Sequence, residues 1–214
     1  MKILVLANGE LYRPAILRKR LLAEAFDLVL AADAGARHAH LLSINLDVII
    51  GDMDSISAIE RQNAGNVEFV SYPVEKDETD LELTLLYAKE RGADRIVVVG
   101  AMGGRMDMTV SNIFLITHPN LGSCRVEVWH GNQTGWLIRP PGDDIVGHPG
   151  DTVSLIPLDG DVYGINTKGL KHSLSHATLT FGPGRGISNI LERSPANVRL
   201  SRGLLFAVHT PGRA

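Results

Sequence analysis

Up to about residue 129, short apolar runs alternate with stretches of helical period. "KILVLA" is followed by a helical pattern opening near Pro14, "DLVLAAD" by one through "ARHAHLL", and "DVIIGD" by one from about Ile56. "VEFVSY" then precedes a helix from about Glu78, "RIVVVGA" one from about Met106, and "RVEVWH" closes the series. Strands that alternate with helices predict βαβ units and a doubly wound, mostly parallel sheet with helices on both faces. Beyond about Gly131 the helical period disappears, and "DTVSLIPL", "DVYGIN", "ATLTF" and "GLLFAV" alternate at strand period between glycines. Fourteen of the 22 glycines fall in residues 121–214, which suits short strands with frequent turns. That half predicts an antiparallel β-sandwich or barrel-like domain. The expected domains are 1–130 and 131–214, with the change of rhythm near Gly131 to Gly135.

Composition narrows the class. A chain of 214 residues that is 44% hydrophobic can bury a core in either half. With 21 basic and 24 acidic residues its formal charge is −3, which offers nucleic acid or an anionic membrane no general attraction. The single cysteine, Cys124, excludes an intrachain disulfide and reads as a small buried hydrophobe, consistent with a reducing cytoplasm. "MKILVLANGE" meets Asn8, Gly9 and Glu10 too soon for a signal peptide, and no run of about 18 apolar residues occurs. The expectation is a soluble, cytoplasmic protein.

In an open parallel sheet, ligands bind beyond the carboxyl ends of the strands. The residues there form a series: Asn8 and Gly9; Asp33 and Gly35; Asp52, Asp54 and Ser55; Lys76, Asp77, Thr79 and Asp80; Gly103, Gly104, Arg105 and Asp107. Asp52 and Asp54, two apart in an extended segment, point the same way at roughly 6 to 7 Å. Alone, "GDMDS" reads equally as a solvated turn. With Asp33 and Asp80 following other strands, a shared divalent cation with oxygen ligands becomes the better reading. Asp77 and Asp80 could also cap the helix that follows them. "GGR" before a helical segment offers backbone N–H groups and a guanidinium to an anion. Neither G-x-G-x-x-G nor G-x-x-x-x-G-K-[ST] is present. His172 and His176 lie in a strand-like context without H-E-x-x-H, so metal ligation by them is not expected, and Ser55 and Ser188 lack a nucleophile elbow. A cation site beside an anion site describes phosphoryl or pyrophosphoryl transfer from a nucleoside triphosphate, driven by positioning and charge neutralisation.

The ordered set "ADAGARHAHLLSINLDVIIGDMDSI", "EKDETDLELTLLYA", "GAMGGRMDMTVSNI", "SLIPL", "TKGLKHSL" and "GISN" resembles the thiamine pyrophosphokinase family along nearly the whole chain. The resemblance implies an N-terminal α/β domain, a C-terminal β-sandwich, a homodimer, and thiamine held between subunits. It implies transfer of pyrophosphate from ATP to thiamine, with attack at the β-phosphorus and AMP as the other product. By motif position Asp52, Asp54 and Asp80 look like Mg²⁺ ligands, with Asp33 a further ligand or the proton acceptor. Asn8, Gly35, Lys76, Thr79, Gly103, Gly104, Arg105 and Asp107 resemble ATP-holding positions, Arg105 also counting among the catalytic set. Gly169, Leu170, His172, Ser188 and Asn189 fall in the thiamine-side motifs.

Two positions depart from the family pattern. Met108 stands where many bacterial members carry histidine, and His172 where tryptophan or tyrosine is usual beneath the thiamine rings. Protonated His172 would repel the thiazolium, so thiamine binding is expected to weaken toward acid pH. Two other functions fit the residues less well: a pyrophosphokinase for another heteroaromatic alcohol such as a hydroxymethyl pterin, and a nonenzymatic nucleotide or thiamine sensor.

Overall fold

The computed structural model describes residues 1–53 and 66–212. Asp54, Ser55 and the helix expected from Ile56 lie outside the described residues. The chain forms two compact units, Met1–Gly131 and Asn132–Ala214.

Among its described residues the first unit carries six parallel strands: β1 (Lys2–Leu6), β2 (Leu28–Ala32), β3 (Val48–Gly51), β4 (Glu68–Ser71), β5 (Arg95–Val99) and β6 (Arg125–His130). They run in the order β6-β5-β1-β2-β3-β4. Strand order therefore reverses at β1, whose partners on either side are β2 and β5. The inner strands are apolar almost throughout, as strands covered on both faces must be; Ile3 to Leu6 and Ile96 to Val99 are essentially inaccessible. Flanking helices are α1 (Pro14–Leu22), α2 (Arg37–Leu42), α3 (Asp80–Glu90) and α4 (Met106–Leu115). Pro14 opens α1 where its missing N–H costs nothing, and Leu17 and Leu21, one turn apart, are its buried residues. A short 3-10 turn, Asp33–Ala36, leads from β2 into α2. The cap of α3 differs from expectation. Thr79 is the N-cap, its hydroxyl accepting from the Glu82 N–H at 3.2 Å, so Asp80 sits inside the first turn and Asp77 outside the helix.

At the amino ends of these strands the charges close on one another. Arg95 bridges Glu24 and Glu127, each at 2.8 Å, Lys2 reaches Glu24 at 2.6 Å, and Arg125 reaches Glu127 at 2.8 Å. Burial alone would raise the Glu127 carboxyl, but its bonds to Arg95, Arg125 and Trp129 hold it below the ordinary carboxylate range. Cys124 is buried, and burial pushes its thiol up.

The second unit contains β7 (Gln133–Ile138), β8 (Gly142–Ile145), β9 (Thr152–Pro157), β10 (Val162–Lys168), β11 (Ala177–Leu179), β12 (Asn189–Ile190), β13 (Ala196–Arg199) and β14 (Leu205–Thr210). Its strands pair antiparallel as β12-β9-β14-β7 and as β11-β10-β13-β8. Val153, Leu155 and Leu205 from the first set share one core with Ile145, Ile165 and Val198 from the second, so the unit is a sandwich and not a barrel. "GLKHSLSH" is irregular, contrary to its strand-like sequence: Thr167 Oγ1 accepts the Leu174 N–H at 2.8 Å and Asn166 Oδ1 the His176 N–H at 3.0 Å. Those side chains satisfy backbone groups that a ladder would otherwise use. Among the described residues no helix is long and apolar enough to cross a membrane.

Candidate active site

The exits of β1 and β5 flank the place where strand order reverses, and there the two backbones touch. Gly9 N–H donates to the Gly100 carbonyl and Glu10 N–H to the Met102 carbonyl, both at 2.7 Å. A Cβ on Gly9 would stand 2.4 Å from Gly100 O and 2.5 Å from Met102 O, so only glycine allows this approach. Gly35 is constrained likewise, a Cβ there falling 2.2 Å from Leu6 O. A cleft of about 600 Å³ opens over these exits, lined among others by Asn8, Asp33, Asp52, Lys76, Thr79 and Asp80. Gly103, Gly104 and Arg105 line it as well.

The carboxylate side is built from three chain segments. Asp33 takes a left-handed backbone conformation, φ 43°, at the turn that leaves β2. Gly51 ends β3, and a Cβ there would lie 2.8 Å from Asp33 Cβ and 3.3 Å from Asp80 Oδ1. The missing side chain is what lets Asp33 and Asp80 approach over the end of β3, with Asp52 the next residue along. Lys76 Nζ meets Asp80 Oδ1 at 2.7 Å, its side chain 11% exposed. Among the described residues no three acidic, histidine or cysteine side chains form a ready-made metal cage, and Asp54 lies outside them. The hard oxygen donors of Asp33, Asp52 and Asp80 along the cleft suit a small cation that also keeps waters and substrate oxygens.

The glycine and arginine corner is more occupied than its sequence suggests. Gly103 N–H is already donated to Thr109 Oγ1 at 3.1 Å. The Arg105 guanidinium forks onto Asp107, Nε to Oδ1 at 3.1 Å and Nη2 to Oδ2 at 2.5 Å, both side chains being largely exposed. The pairing holds Asp107 below the ordinary carboxylate range, with the Met108 N–H adding to it, and holds Arg105 above its usual value. Met108 lines the cleft too.

Three polar residues of this region escaped the sequence reading. Arg37 lines the cleft, and its Nη2 donates to the Asn8 carbonyl at 2.9 Å. His38, 4% exposed, places Nε2 2.8 Å from the Gly9 carbonyl. A carbonyl only accepts, so Nε2 carries a proton. Burial lowers its pKa, the Gly9 bond opposes that, and Arg37 adds to the lowering. Asn112, 7% exposed, donates Nδ2–H to the Ala101 carbonyl at 2.8 Å. Both buried side chains brace strand exits from outside the strands, a tertiary role that "RHAHL" and "TVSNI" do not announce.

In the second unit the sequence-predicted set converges. Asn189 Oδ1 accepts the His172 N–H at 2.9 Å while Asn189 Nδ2 donates to the His172 carbonyl at 2.8 Å. Leu170 bridges Leu191, and the Gly169 carbonyl accepts from Glu192 N–H at 2.8 Å. Ser188, left-handed at φ 58°, donates its N–H to Ser154 Oγ at 3.1 Å. The His172 side chain and Ser188 are exposed.

By fold and cleft, the chain pairs a doubly wound α/β unit bearing a switch-point site with an antiparallel sandwich. The family model for the thiamin pyrophosphokinase catalytic domain matches residues 19–128, and that for the thiamin pyrophosphokinase vitamin B1 binding domain matches 142–205. A thiamine pyrophosphokinase of Bacillus subtilis is 30% identical over 164 residues, covering 75% of this chain and 76% of the relative. Thiamine pyrophosphokinase 1 of rice is 25% identical over 174 residues, covering 76% of this chain and 65% of the relative. The crystal structure of the B. subtilis thiamine pyrophosphokinase superposes with a TM-score of 0.84 at 25% identity over 99% of both chains. Thiamin pyrophosphokinase from Candida albicans shares the fold at TM-score 0.77, with 18% identity over 98% of this chain and 88% of its own. The chain belongs to the thiamine pyrophosphokinase family.

Proposed function

We propose that this protein transfers the pyrophosphoryl group of ATP to the hydroxyl of thiamine, giving thiamine diphosphate and AMP. The observation that carries the reading is the convergence of Asp33, Asp52 and Asp80 with Lys76 on one switch-point cleft in a chain of this family. In the reaction the thiamine oxygen attacks the β-phosphorus, the bond from that phosphorus to the α–β bridging oxygen breaks, and the hydroxyl proton passes to a carboxylate. Asp33, on the turn beside the end of β3, is assigned as a further cation ligand or as the acceptor of the hydroxyl proton. Mg²⁺, when bound by Asp52, Asp54 and Asp80, supplies charge neutralisation on the phosphates. Lys76 orients Asp80 through its 2.7 Å ion pair, and Arg105, by turning from Asp107, can meet a phosphate. Asn8, Thr79, Gly103 and Gly104, which line the cleft, are assigned to the nucleotide, and Gly35 supports them by letting the turn after β2 pack on β1. Gly169, Leu170, His172, Ser188 and Asn189 are assigned to thiamine, the working form to a homodimer, and the site of action to the cytoplasm.

Incubation with Mg²⁺-ATP and thiamine, followed by chromatography, tests the proposal. Thiamine diphosphate with an equal amount of AMP is expected. Thiamine monophosphate with ADP would keep the nucleotide site and overturn the position of attack, and no thiamine product would overturn the acceptor.

A further inference from the structure

Among the described residues three cations line the cleft, and they are not equivalent. Lys76 is held by Asp80 at 2.7 Å, and Arg105 is forked onto Asp107. Arg37, at the start of α2, is held by carbonyls: Nη2 donates to Asn8 O at 2.9 Å and to Gly9 O at 3.4 Å. Carbonyl acceptors orient a guanidinium without neutralising it. Both contacts use a single nitrogen, so Nη1 and Nε have no acceptor within the protein among the described residues. The group is therefore fixed over the exit of β1, beside the Gly9 to Gly100 contact, with its charge and most of its donors uncommitted. The same cleft is lined by Glu10, Asp33, Asp52, Glu78 and Asp80. A polyphosphate entering this acidic surroundings gains little from cations already paired and most from one that is not. A planar fork also suits tetrahedral phosphate oxygens better than a point charge would.

We propose that Arg37 is a phosphate-binding residue, anchoring the polyphosphate of the nucleotide at the switch point through the guanidinium edge that Asn8 and Gly9 leave open. The inference rests on the ATP-dependent reading above. His38, which donates to the same Gly9 carbonyl, fixes the backbone on which Arg37 leans and makes the anchor rigid.

Arg37→Gln and Arg37→Lys, compared with the unaltered protein, separate phosphate binding from a scaffold role. Binding of three probes is read by calorimetry with Mg²⁺ present: ATP, inorganic tripolyphosphate and adenosine. Arg37→Gln is expected to weaken ATP and tripolyphosphate roughly 10- to 100-fold, the worth of a charge-assisted hydrogen bond, and to leave adenosine unchanged. Arg37→Lys should recover part of the loss, because it restores charge without the fork. If adenosine weakens in parallel with the other two, Arg37 acts only by holding the Asn8 to Gly9 backbone and the proposal falls. Equal tripolyphosphate affinity in all three proteins also overturns it. Thermal melting checks that the variants fold; should Arg37→Gln not fold, Arg37→Lys decides, since an unchanged affinity for both polyphosphates there would sink the fork argument. Because no probe needs turnover, failure of the pyrophosphokinase reading would show as a missing thiamine product while tripolyphosphate still reports on Arg37.

Discussion

Replacing Gly9 by alanine should cost the first unit more than any exposed glycine replacement. The added Cβ would stand 2.4 Å from Gly100 O and 2.5 Å from Met102 O, where ordinary contact begins near 3.4 Å. Both obstacles are backbone atoms in adjacent strand exits, so no side chain can swing away. Moving the exits apart by about an ångström would stretch the two 2.7 Å bonds, Gly9 N–H to Gly100 O and Glu10 N–H to Met102 O, past hydrogen-bonding range. Two backbone bonds at about 1 kcal/mol each, with about 1–3 kcal/mol of overpacking, are offset by about 0.5–1 kcal/mol from the stiffer unfolded chain. The net is a loss of about 2–4 kcal/mol, or a fall in melting temperature of roughly 5–15 °C for a chain of this size. Gly92→Ala is the comparison: its φ is +88° but nothing lies within 4 Å, so it should lose only about 1 kcal/mol of backbone strain. Thermal unfolding followed by circular dichroism measures both. A Gly9→Ala melt no lower than that of Gly92→Ala would refute the account of the switch point as a forced backbone contact.

Other consequences can be measured separately. Asp80→Asn neutralises the partner of Lys76 and an assigned cation ligand, so kcat at saturating Mg²⁺ should fall about 100-fold or more; an unchanged kcat would remove Asp80 from the site. Asn189→Ala deletes the two bonds that clamp the His172 backbone and should raise KM for thiamine about 10-fold while leaving KM for ATP alone. Equal effects on both substrates would contradict the assignment. Burial lowers the His38 pKa, so the unfolded chain binds its proton more readily than the folded one. Stability should therefore be unaffected above the ordinary histidine range and decline as pH falls below about 6.5 toward the lowered folded value. The urea midpoint of His38→Gln should fall less than that of the unaltered protein between about pH 7 and pH 5, His130, also lowered by burial, supplying part of the remaining slope; identical slopes would exclude His38 as a contributor.

The α/β half was legible because its signals are local. Each buried parallel strand is a short apolar run, and the chemistry-bearing residues follow it immediately, as Asp33 follows "LVLAA" and Asp52 follows "VIIG". Helix starts were less exact, since Thr79 rather than an aspartate caps α3 and that choice depends on which hydroxyl reaches the Glu82 N–H. In the second half β7, β8 and β13 gave no clear signal. "GDDI" shows one fully buried residue and three polar or small ones, and its place beside β13 is set by long-range pairing from Gly142 to Arg199. Arg37, His38 and Asn112 were invisible for the same reason. Each bonds a carbonyl 11 to 29 residues away, and nothing in neighbouring sequence distinguishes such a residue from an ordinary helical polar one.

The two edges of the parallel sheet divide stability from chemistry. At the amino edge Lys2, Glu24, Arg95, Glu127 and Arg125 form a connected set in which every charge has an opposite neighbour, and Glu127 is further fixed by the indole N–H of Trp129 at 3.0 Å. Such a set is satisfied without any ligand and serves to hold β1, β5 and β6 in register. At the carboxyl edge, acid outnumbers base among the described residues of the cleft, and the chain is packed so tightly at Gly9, Gly35 and Gly51 that only glycine fits there. An excess of one charge along a cleft is poor design for a resting fold and good design for a cation and a polyanion that arrive together, each neutralising what the other leaves. The same sheet can tolerate that imbalance because its other edge is closed.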